Sequence, residues 1–221
     1  MSPELVPLIW EAALETIWMV AVSGGIAMAI GLPLGVFLAI SGRGELFAAP
    51  AVNRVLGLVV NLTRSTPFII LVVAIIPFTR LIAGTSIGTG AAIVPLTVAA
   101  APFIARLLET AIREVDQGLV EAARAMGCRP MQIVTKVLVP EATPAIALSM
   151  TLAIVSLIGY SAMVGAVGDG GLGDLGIRYG YQRFMPEMMA AVVLVLVALV
   201  QAVQSGGERL AKRLNKRLRH A

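Results

Sequence analysis

Charged residues leave this chain in long gaps. None occurs between Glu15 and Arg43, between Arg80 and Arg106, between Glu141 and Asp169, or between Glu187 and Glu208, and only Arg64 interrupts the stretch from Val55 to Thr79. A membrane-crossing helix needs about 20 mostly apolar residues. The pattern therefore predicts an all-α integral membrane protein, a single domain over residues 1–221 with five transmembrane helices at about 16–42, 55–79, 81–105, 142–166 and 187–207. Ahead of the first span, Leu5–Trp18 is short and amphipathic and carries Glu11 and Glu15. It predicts a piece lying on the membrane surface, with Trp10 and Trp18 as interfacial anchors. No basic residue precedes Arg43 and the first apolar run is too long for a cleavable signal.

Basic residues orient the spans. With the C-terminus cytoplasmic, 13 of the 17 lysines and arginines fall inside and three outside (Arg80, Arg178 and Arg183), while Arg64 stays within its helix. The opposite orientation would violate the positive-inside rule, so the N-terminus is expected outside and the C-terminus inside.

The longest polar interval, residues 106–141, holds ten charged residues in 36 and is expected on the cytoplasmic side. Its punctuation predicts a helical hairpin. Asp116 suits an N-cap for a helix through Leu119, Glu121, Ala122, Ala123 and Met126. Gly127 suits its C-cap. Pro130 opens a second helix through Ile133, Val134, Val137 and Leu138, and Pro140 marks the start of the next span. Ala122, Ala123 and Met126 leave one side small and apolar, which suits close approach by another protein; a hairpin that merely connects spans is the plainer reading.

Composition narrows the chemistry. Of 221 residues, 58% are hydrophobic and 14% charged, and mean hydropathy is +0.90; a soluble domain carries about 25% charged residues. A single cysteine, Cys128, and a single histidine, His220, exclude disulfide frameworks and multi-ligand metal sites. No G-x-x-x-x-G-K-[ST] phosphate loop exists, so any ATP hydrolysis must come from another polypeptide. Gly168, Gly170 and Gly173 match G-x-G-x-x-G, but outside the strand–helix context that binds dinucleotides; a flexible external loop over 168–180 is expected instead. Gly84, Ser86 and Gly88 match a nucleophile elbow, yet the only histidine lies across the membrane. Asp169 and Asp174 lack the further ligands of a calcium loop. The basic tail from Arg209 to Arg219 has no interleaved aromatics for nucleic acid and reads as an anchor beside anionic membrane lipid.

Arg64 is the conspicuous charge, because an ionisable group in a span is costly and faces protein or water. Ser65 and Thr66 offer hydroxyls beside it, and Pro67 frees a backbone carbonyl. Farther along, Tyr160, Ser161 and Met163, flanked by Gly159 and Gly165, could form an adaptable gate. Both groups read either as a translocation path or as helix packing. Gly31 and Gly35 form a G-x-x-x-G face suited to packing.

Glu121-Ala122-Ala123, three residues, Gly127, nine residues and Val137-Leu138-Val139-Pro140 resemble the EAA loop of ABC importer permeases, with valine at 137 and 139 where that family has isoleucine and leucine. Arg64-Ser65-Thr66-Pro67-Phe68, Ile76-Pro77-Phe78-Thr79-Arg80, Gly84-Thr85-Ser86-Ile87-Gly88, Ala101-Pro102-Phe103-Ile104-Ala105-Arg106 and Gly159-Tyr160-Ser161-Ala162-Met163 are similar to the methionine-uptake branch of that family, from about Ser23 onward. The resemblance implies a type I ABC importer permease of the bacterial inner membrane, not itself an enzyme. It would be paired with a second copy of itself, with two ATP-binding cassette subunits that use ATP and Mg, and with an extracytoplasmic substrate-binding protein. Glu121, Ala122, Ala123, Met126, Gly127 and Pro140 would couple to the ATPase, and the chain itself would bind no cofactor. The same machine carrying another amino acid or small polar solute is the near alternative. An ion-coupled secondary transporter is the distant one, disfavoured because no acid falls in an uncharged run.

Overall fold

The computed structural model describes residues 5–215, which are helical with connecting turns. Lys216, Arg217, Arg219 and His220, the distal part of the basic tail, lie outside the described residues. Helix α1 (Leu5–Ile40) is one continuous helix of 36 residues, about 54 Å at 1.5 Å per residue. Leu5–Trp18 is thus not a separate surface piece. Nothing between Pro7 and Gly24 breaks the helix, and its stripe of Ile9, Ala12, Ala13 and Thr16 is buried. Ile9, Ala12 and Ala13 pack with Leu172, Leu175, Met188 and Val192. Trp10 and Trp18 point outward.

The second predicted span is broken. Helix α2 (Pro50–Ser65) and helix α3 (Phe68–Ala74) meet at a bend of 104°. Proline disfavours helical backbone at the residue before it, and Thr66 is extended at φ −81°, ψ 126°. The Ser65 and Thr66 hydroxyls donate back to the Asn61 and Leu62 carbonyls at 2.8 and 3.1 Å. Helix α4 (Ile76–Ala83) follows and stops at Gly84, which is left-handed at φ 74°. Helix α5 runs Thr89–Arg113, so residues 81–88 belong to α4 and a loop, and the third span starts later and continues farther than its uncharged run. It passes Arg106 because that arginine finds partners, as described below.

The predicted hairpin is present. Asp116 accepts a 2.7 Å bond from the Gly118 N–H at the start of α6 (Gln117–Ala125). Gly127 has φ 77°, and α7 (Pro130–Ile133) begins on proline. Pro140 does not begin a separate helix. Helical backbone continues from Pro130 to Gly165 through a π turn at Val134–Leu138 into α8 (Val139–Gly165). The wider turn accommodates the amide hydrogen that Pro140 lacks. Beyond α8, residues 168–180 are not a flexible loop. Helix α9 (Gly171–Leu175) packs against α1 and α8, and a π segment, Gly176–Gln182, packs against the last helix of the chain. Gly165 and Gly173 leave no room for a Cβ, which would meet the backbone of α9 and of Ala162 respectively. Helix α10 (Pro186–Leu214) closes the chain. Four stretches are long and apolar enough to cross a bilayer, namely α1, α5, Pro130–Gly165 and α10; the bent α2–α3 pair makes a fifth if counted as one.

The core is built around α5. Met19, Ala27, Leu96, Ala100, Ala101, Ile104, Leu108, Ala153 and Leu157 form the largest buried cluster, joining α1, α5 and α8.

Candidate functional site

Two sites follow from this architecture. The first is the hairpin knob. Val120 and Ala123 are buried against Ile112, Ile133, Val134 and Leu138, so α6 packs onto the end of α5, onto α7 and onto the π turn that leads into α8. Glu121, Ala122, Met126 and Gly127 are exposed, Met126 at 76%. Ala123 is therefore part of the knob's own core, while Glu121, Ala122, Met126 and Gly127 offer an outward face. Pro140 is exposed as well but lines a separate recess with Glu114, Asp116 and Glu141.

The second site lies where α2 bends. A cavity of about 440 Å³ is lined by Arg64, Thr66, Pro67, Phe68, Phe103, Tyr160 and Met163 among others. The structure thus brings Arg64, Thr66 and Pro67 together with Tyr160 and Met163, which are about a hundred residues away in sequence. Phe68 stacks on Tyr160 with ring centroids 4.5 Å apart, and the Arg64 guanidinium carbon lies 5.8 Å from the centre of the Phe103 ring. An aromatic-walled cavity with one cation can hold a zwitterion, its carboxylate near Arg64 and its apolar side chain against the rings. Ser65 and Ser161 are not on this surface. Ser65 is tied to its own helix, and buried Ser161 donates to the Ile158 carbonyl at 2.8 Å. Phe68 and Phe103 went unnoticed as lining because aromatics in an apolar run carry no distinguishing signal.

The end of the helices that carries α9 is stapled by bonds from backbone N–H groups to side chains. Glu15 accepts from the Gly171 N–H at 2.7 Å and Thr16 from the Leu172 N–H at 2.9 Å. Asp169, buried in the turn after α8, accepts from the Gly88 N–H at 3.0 Å. Burial pushes the Asp169 carboxyl from 3.8 up to about 6, with the Gly88 bond opposing. The native state consequently holds this proton more tightly than the unfolded chain does, so stability is lost as pH rises from 3.8 to about 6. Relative to Asp169→Asn, which cannot titrate, the wild-type melting midpoint should decline across that interval and run parallel above it. Tryptophan fluorescence in detergent would show it, and a constant difference would refute it. The Ser86 hydroxyl accepts from Arg80 Nε at 3.1 Å. Among the described residues no three His, Cys, Asp or Glu side chains gather as a metal-holding group.

A helical scaffold of membrane-length helices around a central span, with an outward helical knob, defines a membrane-embedded transport subunit. Residues 31–220 match the family described as binding-protein-dependent transport system inner membrane component, and the chain belongs to that family. It is a multi-pass membrane protein with the type I importer permease fold. The chain is 52% identical over 210 residues to the probable D-methionine transport system permease protein MetI of Vibrio cholerae, covering 95% of this chain and 93% of that one. It is 45% identical to the protein of the same name from Pasteurella multocida, over 98% and 100% of the two chains. A solved structure of the MetNI methionine ABC transporter in an inward-facing conformation superposes with a TM-score of 0.95 at 49% identity, covering 98% of this chain and all of that one. A more distant amino acid ABC transporter, at 18% identity and TM-score 0.78, shares the fold.

Proposed function

We propose that this chain is the permease subunit of an ATP-driven methionine importer in a bacterial inner membrane. The observation that carries the reading is the exposed knob of Glu121, Ala122, Met126 and Gly127 on an importer permease fold whose relatives are named for D-methionine transport. Two copies would enclose the translocation path, because Arg64 and Met163, which line the cavity, remain exposed in a single copy. Two ATP-binding cassette subunits, which consume ATP and Mg, would grip the two knobs. An extracytoplasmic binding protein would deliver the substrate. The N-terminus lies outside and the C-terminus inside, as the basic residues require. ATP binding would draw the knobs together and shift the population between states in which the path faces one side or the other.

An ion-coupled carrier would need an acid free to bind protons or sodium within a span. Glu109, which α5 carries within a membrane-length helix, is already paired with two arginines. Vesicles containing the permease, its ATPase and its binding protein should accumulate labelled methionine only with ATP. Accumulation driven by a proton gradient without ATP would overturn the reading, and preference for another solute would overturn the substrate.

A further inference from the structure

Glu109 is 4% exposed near the inner end of α5, and each of its oxygens is engaged by a different arginine of the same helix. Oε2 meets Arg106 Nη1 at 2.6 Å, and Oε1 meets Arg113 Nη2 at 3.1 Å. Both arginines reach onward to other helices. Arg106 Nη2 donates to Asn61 Oδ1 in α2 at 2.5 Å. Arg113 Nη2 donates to the Leu38 carbonyl of α1 at 3.3 Å. The same carbonyl accepts from Asn53 Nδ2 of α2 at 2.8 Å, and Asn53 also donates to Ser41 Oγ at 2.9 Å. One buried carboxylate thus organises a polar clasp that ties three helices at one level.

The clasp matters because α2 has little else to hold it. Val60 is its one buried side chain, and Val55, Leu58, Val59 and Leu62 are all more than half exposed. Few side chains of α2 are buried against the body, whereas Asn53 and Asn61 make directed bonds to α1, Ser41 and α5. Each end of the clasp also leads to a working part. At one end, Ile112 is packed with Val115, Val120 and Ala123, so the last turn of α5 and the knob share one buried cluster. At the other, Asn61 is one turn before Arg64, and its carbonyl accepts the Ser65 hydroxyl at the bend. We infer that Glu109 is a positioning residue which, through Arg106 and Asn61, carries displacement of the knob to α2 and so to the Arg64 side of the translocation cavity. This inference rests on the importer reading above.

Charge is what makes the clasp stiff. A guanidinium–carboxylate contact in a poorly solvated position is strong and directional. Removing the carboxylate leaves two arginines facing each other without a counter-charge. Glu109→Gln keeps the size and one acceptor oxygen while removing that charge. Asn61→Leu cuts the far end on the exposed surface of α2 and leaves the Glu109 pairs intact.

The test uses the permease purified with its ATPase and reconstituted in vesicles with the binding protein. Methionine accumulated per ATP hydrolysed is measured together with the melting midpoint. Both variants should hydrolyse ATP at close to the wild-type rate while importing about three- to thirtyfold less per ATP, the scale at which substitutions along coupling networks act. The melting midpoint of Asn61→Leu should stay near wild type, whereas that of Glu109→Gln should fall because two arginines lose their counter-charge. An unchanged import-to-ATP ratio overturns the inference. So does, for Asn61→Leu, a fall in uptake and hydrolysis together with a lowered melting midpoint, which marks a merely structural role. Should Glu109→Gln fail to assemble, the ratio of Asn61→Leu decides alone. Wild-type vesicles that import nothing with ATP overturn the importer reading and the clasp with it, whereas active wild type with an unaltered ratio in the variants removes the clasp only.

Discussion

Glu121→Arg is expected to release the ATPase from the purified permease while leaving the permease folded. Glu121 is exposed on α6 and makes no hydrogen bond or ion pair among the described residues. The knob is instead held from within by Val120 and Ala123 on Ile133, Val134 and Leu138. Arginine is a good helix former, so α6 should persist, with Asp116 still capping it. What changes is the outward face. Beside exposed Ala122, which lets a partner come close, a long cation replaces an acid, one turn from exposed Arg124. Losing one half of a desolvated charge pair across an interface costs about 2–5 kcal/mol, and reversing it adds repulsion, so recovery of ATPase per permease should drop at least about thirtyfold. Affinity purification in detergent measures this directly. Equal ATPase recovery with Glu121→Arg would mean that this face is not the docking surface.

Gly35→Val should cause the largest loss of stability of any substitution considered. Gly31 and Gly35 of α1 sit directly on Ala101, Ile104, Ala105 and Leu108 of α5. A Cβ on Gly35 would lie 2.5 Å from the Ala105 carbonyl oxygen and 2.7 Å from Leu108 Cβ, and one on Gly31 would lie 2.7 Å from Ile104 Cγ2. Backbone cannot swing aside as a side-chain tip can, so the two longest-packed helices must separate. Inside a bilayer, lipid tails are as apolar as leucine, and helices are held mainly by close packing. Overpacking a core costs about 1–3 kcal/mol, more where backbone is hit, against a total stability of about 5–15 kcal/mol. Gly25 supplies the control, because a Cβ there meets nothing within 4 Å. Gly35→Val should melt well below wild type in detergent and Gly25→Val close to it; equal midpoints would contradict the packing account.

The parts of this structure that were legible in advance are those in which the cause lies within a few residues. Asp116, Gly127 and Pro130 delimit the knob because capping, left-handed backbone and a missing amide act locally. Where an effect needs a distant partner, the reading failed. Ala123 looked like part of the docking face, since nothing local says that Ile133 and Leu138 cover it. Gly173 looked like part of a flexible loop, whereas it serves close contact between α9 and α8. Leu5–Trp18 looked like a surface piece because Glu11 and Glu15 interrupt its apolar character, but Glu15 caps α9 and the opposite stripe is buried.

Composition and the spacing of charges by themselves determined that this chain crosses membranes on long apolar helices and carries a polar helical knob between two of them. Those features follow from the cost of burying charge in hydrocarbon and from local backbone preferences, and both act residue by residue. Only the tertiary structure decided that Arg64 and Tyr160 line one cavity, and that Arg106, bonded to Asn61, and Arg113, bonded to the Leu38 carbonyl, can remain in α5. Each of these depends on groups far apart in sequence that lower one another's burial cost only when the fold places them together.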